Sequence, residues 1–242
     1  MKIPYADKNE IAALLKEIKL NHGPTITRVY DGDKLHPIDE SVLGGNGLNF
    51  ILGKCQDFEN KDFQFLVNHR HLLLGTTNAK EKELVFKHLI LNAKACNYGI
   101  KEISNETSLK ELEGLLSYQK GVIFIKDLDA CKALLPVNEY ILEDLTTESK
   151  TFKEILKHSV KNSVCVIIAC INKPKRFLNN QQYKEFFEEY FPLRLGFELS
   201  AEDVGALMND AYLNKSLRHK NALFMDLNDE VDRYFKLFKE KT

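Results

Sequence analysis

The stretch HLLLGTTNAKEKE, residues 71–83, has the outline of a strand that runs into a phosphate-binding turn. In a turn of the pattern GxxxxGK[S/T], backbone amides point at the phosphates, a lysine neutralises their charge and a hydroxyl binds magnesium. Gly75 supplies the first position, but Lys80, Glu81 and Lys82 stand where glycine, lysine and serine or threonine are required. Glutamate in place of the lysine turns an attraction for phosphate into a repulsion.

We therefore predict a degenerate nucleotide site that is empty, with no cofactor. The alternative is ATP with magnesium, since a slip of one residue would bring Lys80 or Lys82 to a phosphate, although no serine or threonine follows to bind the metal. A strand-to-helix turn without any ligand is the simplest reading of the same residues. The predicted site consists of Gly75, Thr76, Thr77, Asn78, Ala79, Lys80, Glu81, Lys82 and, from a later turn, Asn172.

A second candidate lies in GVIFIKDLD, residues 121–129, which has the form of a strand that delivers a metal-binding Asp and a water-activating Glu. Lys126 takes the first of these places and Asp127 the second, so metal binding is impaired while one carboxylate survives. Asp127 is a residual catalytic candidate. Asp127 and Asp129 also fit the first turn of a helix, where the helix dipole stabilises negative charge.

Two further polar residues lie at or in apolar strands. Asn172 follows VCVIIACI and could reach a γ-phosphate, or could be ordinary turn chemistry. Arg194, in FPLRLGFELS, sits inside an apolar strand and needs a partner, either a neighbouring subunit's phosphate or, as we expect, a local carboxylate. Arg194 is the other residual catalytic candidate. The histidines lack metal-ligand spacing, so no metal site is predicted.

The composition excludes several classes of protein. With 34 basic and 35 acidic side chains and a net charge of −1, bulk charge does not indicate a nucleic-acid or anionic-membrane partner. The five cysteines form no CxxC pair, which argues against a disulfide framework or a zinc site. The longest apolar run, residues 164–171, is far shorter than the roughly 18 to 20 residues that span a bilayer. We expect a cytoplasmic protein.

The elements that must position these residues alternate along the chain. Apolar runs separated by helical segments predict an α/β fold, with a mainly parallel sheet sandwiched by helices. We expect an N-terminal extension or linker at 1–47 and one main domain at 48–242. The extension holds a helix at 8–20, a strand at 25–30 and a glycine-rich loop at 44–47.

In the main domain, the pattern predicts strands and helices in the following places. Strands are expected at 48–53 and 63–67 as a hairpin, and at 71–75, 121–127, 164–169, 193–199 and 221–226. Helices are expected at 81–97, ended by Gly99, from Ser108 with a capping box to Glu111, across 128–162, at 179–190, from Ala201 and, amphipathic, at 228–240.

The order of these segments resembles the FtsK/SpoIIIE family of RecA-like motor domains. HLLLGTTN is similar to the family's HLLxAGTTGSGKS, VIFIKDLD to VVVIDExAD, VIIACINKP to ILATQRP, and FPLRLGFELSAED to FPxRIAFxVSSxxD. The lead-in FILGKCQDFENKDFQF precedes them, so the resemblance covers about residues 48–242. The resemblance implies a RecA-like P-loop NTPase fold, with the departures at Lys80, Glu81, Lys82 and Lys126.

Within the family, the chain is most similar to the degenerate C-terminal ATPase module of EssC-type type VII secretion proteins. That resemblance implies a pseudo-ATPase in the cytosolic part of a membrane-anchored protein. Its partners would be secreted protein substrates and adjacent ATPase domains, with a possible homo-hexamer. The alternatives are a weakly active ATPase or DNA-translocating FtsK-like motor, and a purely architectural spacer.

A module that binds protein is expected to expose an apolar groove. The candidates are two aromatic stripes, for which core packing is the alternative: Phe186, Phe187 and Tyr190, or Tyr234, Phe235 and Phe238.

Overall fold

A nine-stranded sheet, with strand order β2-β1-β9-β8-β7-β3-β6-β5-β4, forms the centre of the part of the chain that the structure describes. The structure is a computed structural model that describes residues 48–54, 62–66, 70–118, 120–135, 146–162, 165–210, 212–213, 215–228 and 231–237. The strands are β1 Asn49–Lys54, β2 Asp62–Leu66, β3 Leu72–Gly75, β4 Gly99–Glu102, β5 Gly121–Ile125, β6 Cys165–Ile171, β7 Leu193–Leu199, β8 Leu217–Asp226 and β9 Val231–Leu237.

Helices cover this sheet. They are α1 Ala79–Ala95, α2 Leu109–Gly114, α3 Thr147–Asn162, α4 Pro174–Leu178, α5 Gln181–Tyr190 and α6 Ala201–Met208, with short 3-10 turns at Leu115–Ser117 and Lys132–Leu134.

The half of the sheet from β7 to β4 is parallel, as predicted. Strand β3 pairs in parallel with β6 and β7, and β5 pairs in parallel with β6 and β4. Every residue of β3, β5 and β6 is buried, which explains why these strands read as unbroken apolar runs: helices cover both of their faces. The predicted α/β class is therefore confirmed.

The other half, from β7 to β2, is antiparallel. It includes the predicted hairpin of β1 and β2. The predicted end helix at 228–240 is wrong, because residues 231–237 form strand β9 between β8 and β1. In β9, Phe235 and Leu237 are buried while Lys236 between them is half-buried, so the side chains alternate with the period of a strand.

Helix α1 is flanked by two asparagines. Asn78 caps its first residue, Ala79, which lies two residues before the predicted start at Glu81. Asn97, two residues after the last helical residue, adopts the left-handed conformation with φ 57°. Gly99, predicted to end this helix, is instead the first residue of β4, a strand that the sequence analysis missed. The helix from Ser108 is confirmed together with its capping box to Glu111.

The other predicted helices are confirmed with changed bounds. Of the predicted helical span 128–162, residues 147–162 form α3, while 126–130 form a turn. The helix predicted at 179–190 is α5, and the helix from Ala201 is α6. The predictions for residues 1–47 lie outside the described residues.

Two apolar cores lie on opposite faces of the sheet. On one face, α1 contributes Val85, Phe86 and Leu89. On the other face, α3, α5 and α6 contribute a larger set that includes Phe152, Phe187 and Leu207. Burial of these apolar side chains holds the helices on both faces of the sheet. The turns that connect the strands to these helices are thereby held in place as well.

Candidate functional site

The carboxyl ends of β3, β5 and β6 bring the predicted site residues together. These strands are neighbours in the order β3-β6-β5 and run in parallel, so the turns that follow them meet at one edge of the sheet, where open α/β sheets bind ligands. Gly75 ends β3, Asp127 follows β5 and Asn172 follows β6. The predicted segments after β3, β5 and β6 therefore lie side by side in the fold.

The turn between β3 and α1 directs its backbone amides into the protein. The Thr76 amide donates to the Ile171 carbonyl at 3.2 Å, and the Thr77 amide donates to the Glu198 carbonyl at 3.4 Å. The Thr77 hydroxyl donates to that same carbonyl at 2.7 Å, and the Asn78 amide donates to Thr76 Oγ1 at 3.2 Å. Amides used in this way do not point at a phosphate.

The start of α1 is closed by the side chain of Asn78. Its Oδ1 accepts hydrogen bonds from the amides of Lys80 at 3.1 Å and Glu81 at 3.2 Å, while its backbone carbonyl accepts from the Lys82 amide at 3.0 Å. A phosphate at a helix N-terminus would accept from the same first-turn amides. The Asn78 amide oxygen thus takes the position of an anion at this helix.

The Lys82 side chain points inward at this edge of the sheet. The residue is buried, and its Nζ forms an ion pair with Asp127 and donates to Asn172 Oδ1 at 3.2 Å. Asn172 Nδ2 in turn donates to Asp127 Oδ1 at 2.9 Å and to Asp129 Oδ1 at 2.9 Å. We call Lys82, Asp127, Asp129 and Asn172 the Lys82 cluster.

Charge within the Lys82 cluster is balanced by these contacts. Burial raises the pKa of the Asp127 carboxyl, but hydrogen bonds from Asn172 and Lys82 outweigh burial and hold the pKa below its usual value. Asp127 is therefore ionised at neutral pH, and the carboxylate that survives in the predicted motif is the ion-pair partner of Lys82.

Lys126 points to other partners. Its Nζ lies 3.5 Å from Glu83 Oε2 and 3.8 Å from Glu102 Oε2, so it joins β5 to α1 and β4. The positive charge of Lys126 also contributes to the lowered pKa of the Asp127 carboxyl.

Gly75 has a packing role. A Cβ added at this position would lie 2.6 Å from Leu207 Cδ2 and 2.8 Å from Pro174 Cγ. The glycine lets α4 and α6 approach the end of β3, and this close approach accounts for the residue without any phosphate.

Arg194 lies away from this edge. It pairs with Leu73, two residues before Gly75, and only 2% of its surface is exposed. Its Nη2 donates to the Phe187 carbonyl at 2.7 Å, while Nε and Nη1 have no hydrogen-bond partner in the described part of the chain. Burial lowers the pKa of the guanidinium to about 9. The expected ion pair with a local carboxylate is not found among the described residues, because the C-terminal end of α5 presents a backbone carbonyl instead.

Neither predicted apolar groove is found among the described residues. Phe186, Phe187 and Tyr190 are buried in the core between α5 and the sheet. Phe235 is fully buried in β9, Tyr234 is partly buried, and Phe238 lies outside the described residues. The aromatic residues of the two stripes that the structure describes serve packing.

Two features of this edge were not predicted, namely the cap at Asn78 and the inward direction of Lys82. An asparagine directly before a helical segment is an N-cap signal, and it could have moved the predicted start of α1. Among the described residues, no group of three or more potential ligand side chains could hold a metal ion, and no helix is long and apolar enough to cross a membrane.

Comparison with known proteins gives likeness in fold only. No family model and no curated protein matches the sequence. Among solved structures, the cytoplasmic domain of EssC superimposes with a TM-score of 0.56 over 98% of this chain and 55% of that chain, at 12% identity. EssC (ATPases 2 and 3) from Geobacillus thermodenitrificans superimposes with a TM-score of 0.53 over 98% of this chain and 52% of that chain, at 11% identity.

A third structure is Thermomonospora curvata EccC (ATPases 2 and 3) in complex with a signal sequence peptide. It superimposes with a TM-score of 0.52 over 97% of this chain and 48% of that chain, at 11% identity. The chain has the fold of the EssC and EccC ATPase domains. The resemblance carried by the motif order is thus confirmed at the level of fold. This chain spans about half the length of the EssC and EccC structures that it matches.

Within this EssC-type fold, two groups of predicted residues separate. The turn at 75–82, Asp127 and Asn172 meet at one edge and bond to one another, whereas Arg194 lies deeper along β7. The edge unites all of the predicted site residues except Arg194, and their polar groups are bonded within the chain.

Proposed function

We propose that this chain is a pseudo-ATPase module of a type VII secretion motor, which works through protein contacts rather than by hydrolysing ATP. The observation that carries the proposal is the double replacement at the sheet edge: Asn78 Oδ1 at the anion position and Lys82 Nζ at the cation position. The EssC and EccC likeness in fold supports the secretion context.

Nucleotide binding would have to undo several contacts at once. The Asn78 cap would have to leave the amides of Lys80 and Glu81, and magnesium would have to displace a buried ammonium from Asp127. Separating a partly buried charge pair is costly, and Glu81 in the first turn of α1 repels phosphate. The loss of the Asn78 cap, the broken ion pair and the repulsion by Glu81 all oppose nucleotide binding. We therefore expect no ATP binding at physiological concentration.

The proposed partners are secreted protein substrates and adjacent ATPase domains. The EccC structure holds a signal sequence peptide, and we propose that this chain likewise recognises part of a secreted protein. We further propose that residues 1–47 form an extension or linker next to a main domain at 48–242, in the cytosolic part of a membrane-anchored motor.

Calorimetric titration of the chain with ATP and magnesium tests the nucleotide half of this proposal. We expect no detectable heat up to millimolar nucleotide. Binding at micromolar strength, or ATP turnover that Lys82→Ala and Asp127→Asn abolish, would instead establish the alternative of a weakly active ATPase or DNA-translocating motor. Lys94→Ala is the matched control, since Lys94 is exposed and lies in the last turn of α1, at the opposite end of the helix from Lys82.

Fluorescence anisotropy with labelled helical tails of co-encoded secreted proteins tests the partner half. Saturable binding by the chain without nucleotide supports the proposal. Self-association without affinity for any such peptide would favour the architectural spacer.

A further inference from the structure

The Lys82 cluster holds a primary amine next to a carboxamide. Lys82 is 6% exposed, and its Nζ donates to Asn172 Oδ1 at 3.2 Å. Because Cγ of Asn172 is bonded to that oxygen, the carbon lies within about 4.5 Å of the amine nitrogen. The two groups come from different elements, α1 and the turn after β6. Only a small movement separates this arrangement from a bond between Nζ and Cγ.

Asp127 contacts both groups through a single atom. Its Oδ1 forms the ion pair with Lys82 Nζ and also accepts from Asn172 Nδ2 at 2.9 Å. A carboxylate oxygen in this position can take a proton from the amine and pass a proton to the amide nitrogen. It lies where proton transfer between the two nitrogens requires a general base and acid.

Asp129 holds the carboxamide from another direction. Nδ2 of Asn172 donates to Asp129 Oδ1 at 2.9 Å and to Oδ2 at 3.0 Å, and the Asn172 backbone amide donates to Oδ1 at 3.4 Å. These bonds orient the side chain so that its oxygen faces Lys82. The orientation of the carboxamide is therefore supported by contacts other than its contact with the amine.

We propose that Lys82 and Asn172 form an intramolecular isopeptide bond. Asp127 takes a proton from the Lys82 ammonium, and the neutral amine attacks Asn172 Cγ. The Nζ–Cγ bond forms and the Cγ–Nδ2 bond breaks. A second amine proton passes to Nδ2, and the leaving ammonia carries away the proton held by Asp127 as an ammonium ion. The inference rests on the contacts of the Lys82 cluster and not on the proposed function.

The electrophile is the carboxamide of Asn172 and not the carboxyl of Asp127. Burial raises the pKa of the Asp127 carboxyl, but hydrogen bonds from Asn172 and Lys82 outweigh burial and hold the pKa below its usual value. The carboxylate is thus ionised, and its negative charge opposes attack by a lone pair. Asn172 Cγ is neutral, and its oxygen accepts a hydrogen bond from Lys82, which withdraws electrons from the carbon.

Burial of Lys82 favours the reaction over a lasting ion pair. Reacting groups that the fold holds in contact react much faster than free ones. The product replaces a buried ammonium, which is costly to keep away from water, by a neutral amide. Asp127 loses its partner, but its side chain is 47% exposed and is hydrated instead. The new bond ties the start of α1 to the end of β6.

Intact mass spectrometry of the full chain is the experiment. During several days at mildly alkaline pH, we expect a species to accumulate that is lighter by about 17 Da, the mass of ammonia. Tryptic digestion of this species should give a linked pair of peptides, one with residue 82 and the other with residue 172. A sample kept in guanidinium chloride throughout should yield no linked pair, because unfolding separates the two groups.

Three variants test the assigned roles. Lys82→Arg removes the amine but keeps the charge, Asn172→Ala removes the carboxamide and Asp127→Ala removes the proton carrier. None of the three is expected to give the linked peptides. The matched control is Lys94→Arg, at the exposed far end of α1, and it should react like the wild type. Circular dichroism checks folding, and Asp127→Ser replaces Asp127→Ala if the latter does not fold.

Four results would overturn the proposal. They are an unchanged mass after incubation, a gain of about 1 Da from hydrolysis of a carboxamide, a loss of about 18 Da with Lys82 joined to Asp127, and a loss of about 17 Da without linked peptides. The last result reports cyclisation of an asparagine, which persists in Lys82→Arg. Linked peptides that form equally in a folded Asp127→Ala variant would also contradict the mechanism.

Discussion

The edge around Gly75 and the outer face of α3 use charge in opposite ways. At the edge, the Lys82 ammonium, the Asp127 carboxylate and the Asn78 amide are bonded to one another or to backbone groups. On α3, the exposed Lys150, Lys157 and Lys161 have no ion-pair partner among the described residues. Buried polar groups must be satisfied within the chain, whereas exposed ones are satisfied by water. Charge at the Gly75 edge is therefore part of the folded structure, whereas the charge of these lysines is not.

The substitution Lys82→Met should break this comparison most strongly. It keeps the aliphatic stem but removes the ammonium, leaving Asp127 without its partner and close to Asp129. Because Asp127 is half exposed, the loss should lie between that of a surface pair and that of a buried pair, about 2–3 kcal/mol in the free energy of unfolding. Urea denaturation measures it, with Lys80→Met as the control, for which we expect less than about 0.5 kcal/mol. Equal stability of the two variants would show that the Lys82 cluster does not hold the edge.

Stability should fall in acid because of a second inward-facing polar residue, His71, which directly precedes β3. His71 is fully buried, its Nδ1 accepts from the Ile167 amide and its Nε2 contacts the Leu156 carbonyl. Burial lowers its pKa from 6.5 to about 4. Between these values the unfolded chain binds a proton that the folded chain does not, so stability is complete above pH 6.5 and falls as the pH drops toward 4.

We expect His71 to account for a loss of about 2 kcal/mol in unfolding free energy between pH 7.5 and pH 5. Denaturation at the two pH values, compared with His71→Gln, measures this loss. The control is His219→Asn, because His219 is exposed and its φ of 56° suits asparagine. The same pH slope in wild type and His71→Gln would assign the acid sensitivity to other groups.

Removal of the Asn78 cap should have a smaller effect. Asn78→Ala frees the amides of Lys80 and Glu81 and should cost about 1 kcal/mol. Asn180 caps α5 in the same way, accepting from the amides of Gln182 and Tyr183, so Asn180→Ala is the matched variant in another helix. Thermal or urea denaturation should give similar losses for the two. A loss confined to Asn180→Ala would mean that the Asn78 bonds contribute nothing to the closed turn.

The smallest effect should come from the exposed lysines of α3. At about 500 mM NaCl, K150E/K157E/K161E should change the unfolding free energy by less than about 0.5 kcal/mol per substitution. Lys150, Lys157 and Lys161 have no ion-pair partner to lose among the described residues, and salt screens their mutual repulsion. A loss of several kcal/mol in urea denaturation would mean that the charges on α3 stabilise the fold, as those at the edge around Gly75 do.

Much of the fold could be predicted because its central strands are apolar throughout. Strands β5 and β6 are buried along their whole length, and such runs are hard to mistake. Strand β4, with the sequence GIKE, lies at the end of the sheet and is mostly exposed, so it carries little apolar signal. Residues 228–240 contain three aromatic residues whose spacing also fits one face of a helix, so the sequence predicts a helix there. The pairing of β9 with β8 and β1, which the local sequence does not contain, makes this segment a strand.

The location of the candidate site could also be predicted, but not its internal bonding. Gly75, Asp127 and Asn172 each follow an apolar strand, and parallel strands bring such turns together. Lys82 can extend into solvent or to Asp127, depending on the distance between α1 and the turn after β5. That distance is set by the packing of the whole domain and cannot be predicted from the local sequence. Arg194 shows the same limit, since its partner is a backbone carbonyl of α5.

The pairing of β1 with β9 also affects how the chain folds. Gly53 lies opposite Leu237, so this contact closes a loop that contains nearly all of the described chain. Contacts so distant in sequence form slowly, and during synthesis the hairpin of β1 and β2 must wait with an unpaired edge until β9 has left the ribosome. That edge is a target for chaperones and for mispairing, and the parallel half of the sheet is expected to be assembled before the antiparallel half is complete.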